Sequence, residues 1–133
     1  MILVDTSAWV DFDRATGSPT DEHLVHLLRD RPDELATTEP VLMEVLAGAR
    51  SDTAARRLRS LLLSVRLLPV EPAADFEGAA TVYRTCRRRG ITPHGLRDCL
   101  ITCVAMRTGS RLLTADADFR RMTTVLPLVL EEP

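Results

Sequence analysis

Met1-Ile2-Leu3-Val4-Asp5-Thr6-Ser7-Ala8 is the stretch on which the fold turns. An apolar run stops abruptly at a carboxylate and two hydroxyls. Ile2, Leu3 and Val4 read as a strand buried on both faces, as in a parallel sheet covered by helices. Asp5 then stands at the carboxyl end of that strand. In open α/β sheets ligands bind at that edge, so further acids that matter are expected to arrive there.

Working outward, helical and strand patterns alternate. A helix is expected from Ser7 to about Arg14, followed by a loop at Thr16-Gly17-Ser18-Pro19. Ser18 is placed to cap a second helix that begins at Pro19, carries Leu24, Leu27 and Leu28 on one face and ends before Pro32. Leu35-Ala36-Thr37 reads as a strand. Thr37 or Thr38 then caps a helix with Pro40 in its first turn and Gly48 near its end. Thr53 to Ser64 has a clean apolar stripe of Ala54, Leu58, Leu61 and Leu62, continued by Val65. A third strand is expected within Val65 to Val70, limited by Pro69 and Pro72. A long helix from Ala73 to Arg89 places Phe76, Ala79, Ala80, Tyr83 and Cys86 inward, with Gly90 as its stop. Leu96 to Thr108 is apolar nearly all round and reads as a central helix, stopped by Gly109. Arg111 to Thr114 is the next strand, Asp116 to Phe119 a helical turn, and Val125 to Leu130 a last edge strand that tolerates Pro127. The alternation predicts an α/β/α sandwich with a central parallel sheet, one domain over residues 1–133.

Composition narrows the class. An apolar fraction of 45% with 27% charged residues is that of an ordinary globular domain with a full core. No apolar run is long enough to span a bilayer, and Asp5 interrupts the only early one, so neither a membrane segment nor a signal peptide is expected. Three cysteines without regular spacing suggest reduced thiols and a cytoplasmic protein. All 17 basic residues are arginine, which excludes any chemistry that requires a lysine, a P-loop among them.

Three more carboxylates stand in unexpected places. Glu44 interrupts an apolar helix, Asp98 interrupts the central one, and Asp116 follows a buried strand as Asp5 does. Each alone has an ordinary explanation: a thin exposed stripe for Glu44, a helix N-terminus for Asp98, a turn cap for Asp116. Together, two follow strands and two lie in helices that begin near the same sheet edge. Four carboxylates at one point repel each other strongly unless a cation joins them. Hard oxygen donors without histidine or thiolate select Mg²⁺ or Mn²⁺ over zinc. Acids holding such an ion are the apparatus for phosphodiester hydrolysis by an activated water. Asp118 is a further acid, and Thr6, Ser7 and Thr114 are hydroxyls placed to orient a ligand.

These blocks resemble the PIN-domain family and, within it, the VapC toxins of bacterial toxin–antitoxin pairs. The matching stretches are Ile2 to Trp9, Glu39 to Gly48, Arg97 to Ile101 and Leu113 to Phe119. The resemblance implies a Mg²⁺- or Mn²⁺-dependent endoribonuclease acting on structured RNA such as tRNA or a ribosomal RNA loop. By it Asp5, Glu44, Asp98 and Asp116 form the catalytic, metal-binding tetrad, supported by Thr6, Thr114 and Asp118. It also implies a homodimer silenced by a cognate antitoxin. Thr102 and Cys103 depart from the pattern, standing where small alanines are expected.

Arg84, Arg87, Arg88 and Arg89 cluster at a helix end, with Arg97 shortly after. They read as a phosphate-binding patch for RNA or as a solvated face. His23 and His26 read as surface residues, since zinc needs three or four ligands. Trp9 and Tyr83 read as core or interface, and Cys99 and Cys103 as small core residues. Two other functions fit the same fold class. A non-catalytic RNA-binding or regulatory module would be expected to lack one of the four acids. Another Mg²⁺-dependent phosphate-ester hydrolase of the haloacid-dehalogenase kind would want an aspartate where Ser7 stands, and a lysine.

Overall fold

The computed structural model describes residues 1–133. Its sheet has four parallel strands: β1 (Ile2–Val4), β2 (Leu35–Thr37), β3 (Arg66–Leu67) and β4 (Arg111–Leu113), in the order β3-β2-β1-β4. Ile2 pairs with Leu35 on one side and Arg111 on the other, so β1 is interior. Ile2, Leu3 and Val4 are fully buried, as an interior strand of a covered sheet requires. Seven helices cover the sheet: α1 (Thr6–Arg14), α2 (Pro19–Asp30), α3 (Glu39–Ala47), α4 (Asp52–Leu62), α5 (Pro72–Arg88), α6 (Leu96–Thr108) and α7 (Ala117–Met122). This is the expected α/β/α sandwich. No helix is long and apolar enough to cross a membrane.

Local chemistry sets the helix boundaries. Ser18 Oγ accepts from the Asp21 amide at 3.1 Å, so α2 begins as expected. Ser51 Oγ accepts from the Ala54 amide and starts α4 one residue earlier than the apolar stripe suggests. Thr38 holds the N-cap position of α3, but its hydroxyl makes no capping bond. α6 has the expected limits and ends at Gly109, whose φ of 65° lies in the left-handed region that glycine tolerates best.

Three expectations need correction. β3 is only two residues long: Leu68 still donates to the Thr37 carbonyl, but Pro69 has no N–H and the Val70 amide turns to Glu39 Oε2. The last strand is reduced to one parallel bridge, Leu112 to Leu130. The amides of Val125 and Leu126 instead bond to the Met122 carbonyl and extend the turn that follows α7. The inward face of α5 is rotated from the expected one. Asp75, Ala79, Val82 and Cys86 are buried, whereas Phe76 is 61% exposed and Ala80 is exposed too. Gly78 explains the rotation: a Cβ there would lie 2.4 Å from Cys103 Sγ, so this face of α5 is the one pressed on α6. Cys103 therefore fills the space that Gly78 leaves open. Thr102 is fully buried and its hydroxyl has no partner.

The core joins β1, β2 and β4 to α6, with Trp9, Ile101 and Phe119 among its largest fully buried side chains. Trp9 is core, edge-on to Phe12. The three cysteines are free; Cys99 is fully buried, and burial pushes its thiol up to about 12.

Candidate active site at the carboxyl edge of the sheet

Because every strand runs the same way, the chain leaves β1, β2 and β4 at one edge. Asp5 follows β1 there, and its amide donates to the Leu113 carbonyl at 2.9 Å, which locks it to the end of β4. Asp5 also caps α1. Its Oδ2 accepts from Ser7 Oγ at 2.7 Å, from Thr114 Oγ1 at 3.0 Å and from the Ser7 amide at 3.3 Å. The network continues along the β4 exit. The Ala115 amide donates to Ser7 Oγ, the Asp116 amide to Thr114 Oγ1, and the Asp118 amide to Asp116 Oδ1. A carboxylate 4% exposed is thus held by two hydroxyls. Burial raises the Asp5 carboxyl above its ordinary value, against the bonds from Ser7 and Thr114.

Glu44 and Asp98 reach the same space from α3 and α6. Burial is the first cause that lifts Asp98 to about 6, and the charges of Asp5, Asp116 and Glu44 lift it further. Glu44 is also raised, first by burial; Arg97 draws it down and Asp5 pushes it up. Asp98 therefore stands within electrostatic reach of the other three acids, and Glu44 within reach of Asp5. They do not form a ready coordination shell: no three such side chains lie close enough to hold a metal ion as they stand. Three of them are turned to partners within the chain. Asp5 Oδ2 faces Ser7 and Thr114, Glu44 Oε2 faces Arg97 at 3.5 Å, and Asp116 Oδ1 faces the Asp118 amide. The donor chemistry nevertheless fits a hard divalent cation, being all oxygen. Glu44 Oε1 and Thr6 Oγ1 are buried without hydrogen-bond partners, and such atoms are unfavourable unless something satisfies them.

The hydroxyls, read as one group in the sequence, divide in the structure. Ser7 and Thr114 hold Asp5, and Thr6 lies beside Glu44 without bonding it. Asp118 is engaged differently from the other four acids. It pairs with Arg121 and lies 2.8 Å from His94 Nδ1, without hydrogen-bond alignment to that ring. His94 thus ties the α5–α6 loop to α7. No local signal marks that contact, because the partners come from different blocks of sequence. His23 pairs with Glu131 at 3.0 Å.

Arg97 is separated from the arginine cluster by its contact with Glu44. Arg84, Arg87, Arg88 and Arg89 make no ion pair at all. Three of them surround a surface hollow of about 340 Å³ beside Tyr83, and Arg87 lies over that ring at 5.8 Å.

Comparison with known proteins agrees with this architecture. The family model of the PIN domain matches residues 2–125. The chain is 44% identical over 119 residues to VapC ribonuclease Mb1587 of Mycobacterium bovis, covering 90% of this chain and 89% of the relative. Ribonuclease VapC11 of Mycobacterium tuberculosis matches with the same figures. Among solved structures, VapBC2 from Rickettsia felis bound to a promoter DNA fragment superposes with a TM-score of 0.76 at 20% identity, over 98% of both chains. VapC20 of Mycobacterium tuberculosis, a toxin that cleaves the sarcin–ricin loop, gives 0.69 at 23% identity over 100% of both. At these identities the structures speak for the fold, and the family-model match and the 44% relatives for kinship: the chain belongs to the PIN-domain family, in its VapC branch.

Proposed function

We propose that this protein is a metal-dependent endoribonuclease, the toxin of a toxin–antitoxin pair. The observation that carries the reading is the meeting of Asp5, Glu44, Asp98 and Asp116 at one sheet edge, in a chain 44% identical to proteins named ribonucleases. Asp5, Glu44, Asp98 and Asp116 would hold Mg²⁺ or Mn²⁺. Bound there, the ion supplies Lewis-acid activation of water and neutralises charge on a phosphodiester. Ser7 and Thr114 keep Asp5 oriented and favour its ionised form, against its burial, by donating to one of its oxygens. Thr6 lines the space beside Glu44. Asp118 supports the edge indirectly, by fixing His94 and the first turn of α7.

RNA must be drawn to an acidic edge, and the unpaired arginines 84, 87, 88 and 89 supply that attraction through backbone phosphates. Structured RNA such as tRNA or a ribosomal RNA loop is the expected substrate class. Two protein partners complete the reading. A cognate antitoxin is expected because toxin–antitoxin assemblies recur among the structural neighbours. A second copy of the chain is expected on the apolar side chains that stand in water near α5 and α6, notably Phe76 and Leu96, exposed by 61% and 62%. The pairing of the toxin with its target then takes place in the cytoplasm.

The test is cleavage of total cellular RNA by purified protein with Mg²⁺, with Mn²⁺ and with chelator, mapping new 5′ ends. A few discrete, metal-dependent cuts are expected, and Asp5→Asn should reduce them by roughly 10³-fold, the scale of several kcal/mol of lost transition-state stabilisation. Cleavage that persists in chelator, or in the variant, would overturn the reading.

A further inference from the structure

Arg97 stands where helix physics disfavours a cation. It is the second residue of α6, and no other helix has a basic residue among its first three positions. The free amide groups of a first turn amount to partial positive charge, so a guanidinium there is repelled. Gly95, at the N-cap, offers no side chain to offset this. What holds Arg97 is opposite charge: its Nη1 lies 3.5 Å from Glu44 Oε2. The contact is loose. It is a charge pairing longer than an ordinary hydrogen bond, and the Arg97 side chain is 62% exposed while that of Glu44 is 17% exposed. The other oxygen of Glu44 is buried without a partner. A half-buried carboxylate with one weak, solvent-facing partner is poised to exchange it.

We propose that Arg97 is an internal counter-cation of the acid edge, one that a divalent metal ion must displace from Glu44 in order to bind. The inference rests on the metal-dependent reading given above. A guanidinium 3.5 Å from Glu44 Oε2 neutralises part of that carboxylate's charge and repels a second cation approaching it, so Arg97 weakens metal binding by competition and by repulsion. Once displaced, the guanidinium remains tethered at the rim of the site. Its planar fork suits a phosphate oxygen there better than a lysine would. Arg97 is a positioning residue in this scheme: it sets how readily the site is loaded.

The experiment is a titration of the purified, metal-stripped full chain with Mn²⁺, followed by electron paramagnetic resonance of the free ion. Wild type, Arg97→Gln, Arg97→Lys and Arg59→Gln are compared, with circular dichroism to confirm that each is folded. Arg59→Gln removes the same charge from an exposed, unpaired position on α4. Arg97→Gln should bind Mn²⁺ on the order of tenfold more tightly, the size of a water-screened charge interaction at short range. Arg97→Lys should stay near wild type, because it keeps the charge. Unchanged or weaker binding in Arg97→Gln, or an equal gain in Arg59→Gln, would overturn the proposal. If no form binds Mn²⁺, the metal-dependent reading fails and takes this one with it.

Discussion

The two ends of α6 solve the same problem in opposite ways. At its C-terminal end Arg107 meets Asp75, which is 2% exposed, with two hydrogen bonds of 2.9 and 2.7 Å. A third bond runs to the Pro69 carbonyl at 2.8 Å and a fourth to Glu71 at 3.3 Å. The helix dipole favours that arginine, and its hydrogen bonds hold the Asp75 carboxyl below its ordinary value. At the N-terminal end Arg97 makes one 3.5 Å contact among several acids, and burial with like charge pushes Asp98 up to about 6. One end is a closed, satisfied ion pair. The other leaves negative charge uncompensated. Charge that is already neutralised has nothing left to offer a ligand, so the unsatisfied end is where chemistry belongs.

Replacing Asp98 by asparagine tests the contrast most severely. RNA cleavage should fall by roughly 10³-fold, as for Asp5→Asn, while the fold gains stability, by roughly 0.5–1 kcal/mol in urea unfolding, since a repelled and partly buried charge is removed. Loss of stability would mean that Asp98 is structural. At the other end, Arg107→Met should destabilise the chain by about 2–3 kcal/mol, because it strands the Asp75 carboxylate in the interior; the partial exposure of the guanidinium keeps this below the full penalty for a deeply buried pair. Metal binding should be unaffected. Between the two ends, Gly78→Ala should cost roughly 1–3 kcal/mol by forcing α5 off Cys103, and Cys103→Ala in the same chain should restore most of it. Additive rather than compensating effects would mean that the contact at Gly78 does not set the α5–α6 spacing.

The smallest effect is in pH, and its sign differs between the ends. The folded-state value of Asp98 is raised to about 6 from a reference of 3.8. Its stabilising share is therefore present below about pH 4 and is lost as pH rises through 6. Asp75 is lowered, so its share is present above its reference value of 3.8 and is lost as pH falls below that. In metal-free urea titrations the stability difference between Asp98→Asn and wild type should widen from pH 4 to pH 6.5. A difference that stays flat would show that neither burial nor the other three acids raises the Asp98 carboxyl.

The four acids were legible because each breaks an apolar pattern or ends a buried strand, and both signals are local. β1, β2 and β4 were legible for the same reason, and so was α6, bounded by Gly95 and Gly109. What escaped depends on partners far along the chain. Asp75 reads as a surface acid until Arg107 is seen against it, so apolar periodicity alone turned α5 toward Phe76. The pairing of Arg97 with Glu44 and of His94 with Asp118 joins residues from separate blocks. The last strand failed because β-branched and leucine residues after α7 suited a strand, yet the turn from Met122 captured their amides first.

The Asp5–Thr114 hydrogen bond joins residues 109 positions apart. That separation has a temporal meaning, since a chain is made in order. Asp5 leaves the ribosome well before Arg111 does, so the side of β1 that receives β4 waits until that later strand has been synthesised. Loop closure over such a span forms late and only against a settled core. A nascent chain, or one cut short before Arg111, lacks Thr114 and Asp116 and leaves Asp5 without its lock. The acid edge thus exists only once β4 and the residues that follow it have been made, and a nascent chain that has not reached them does not carry it.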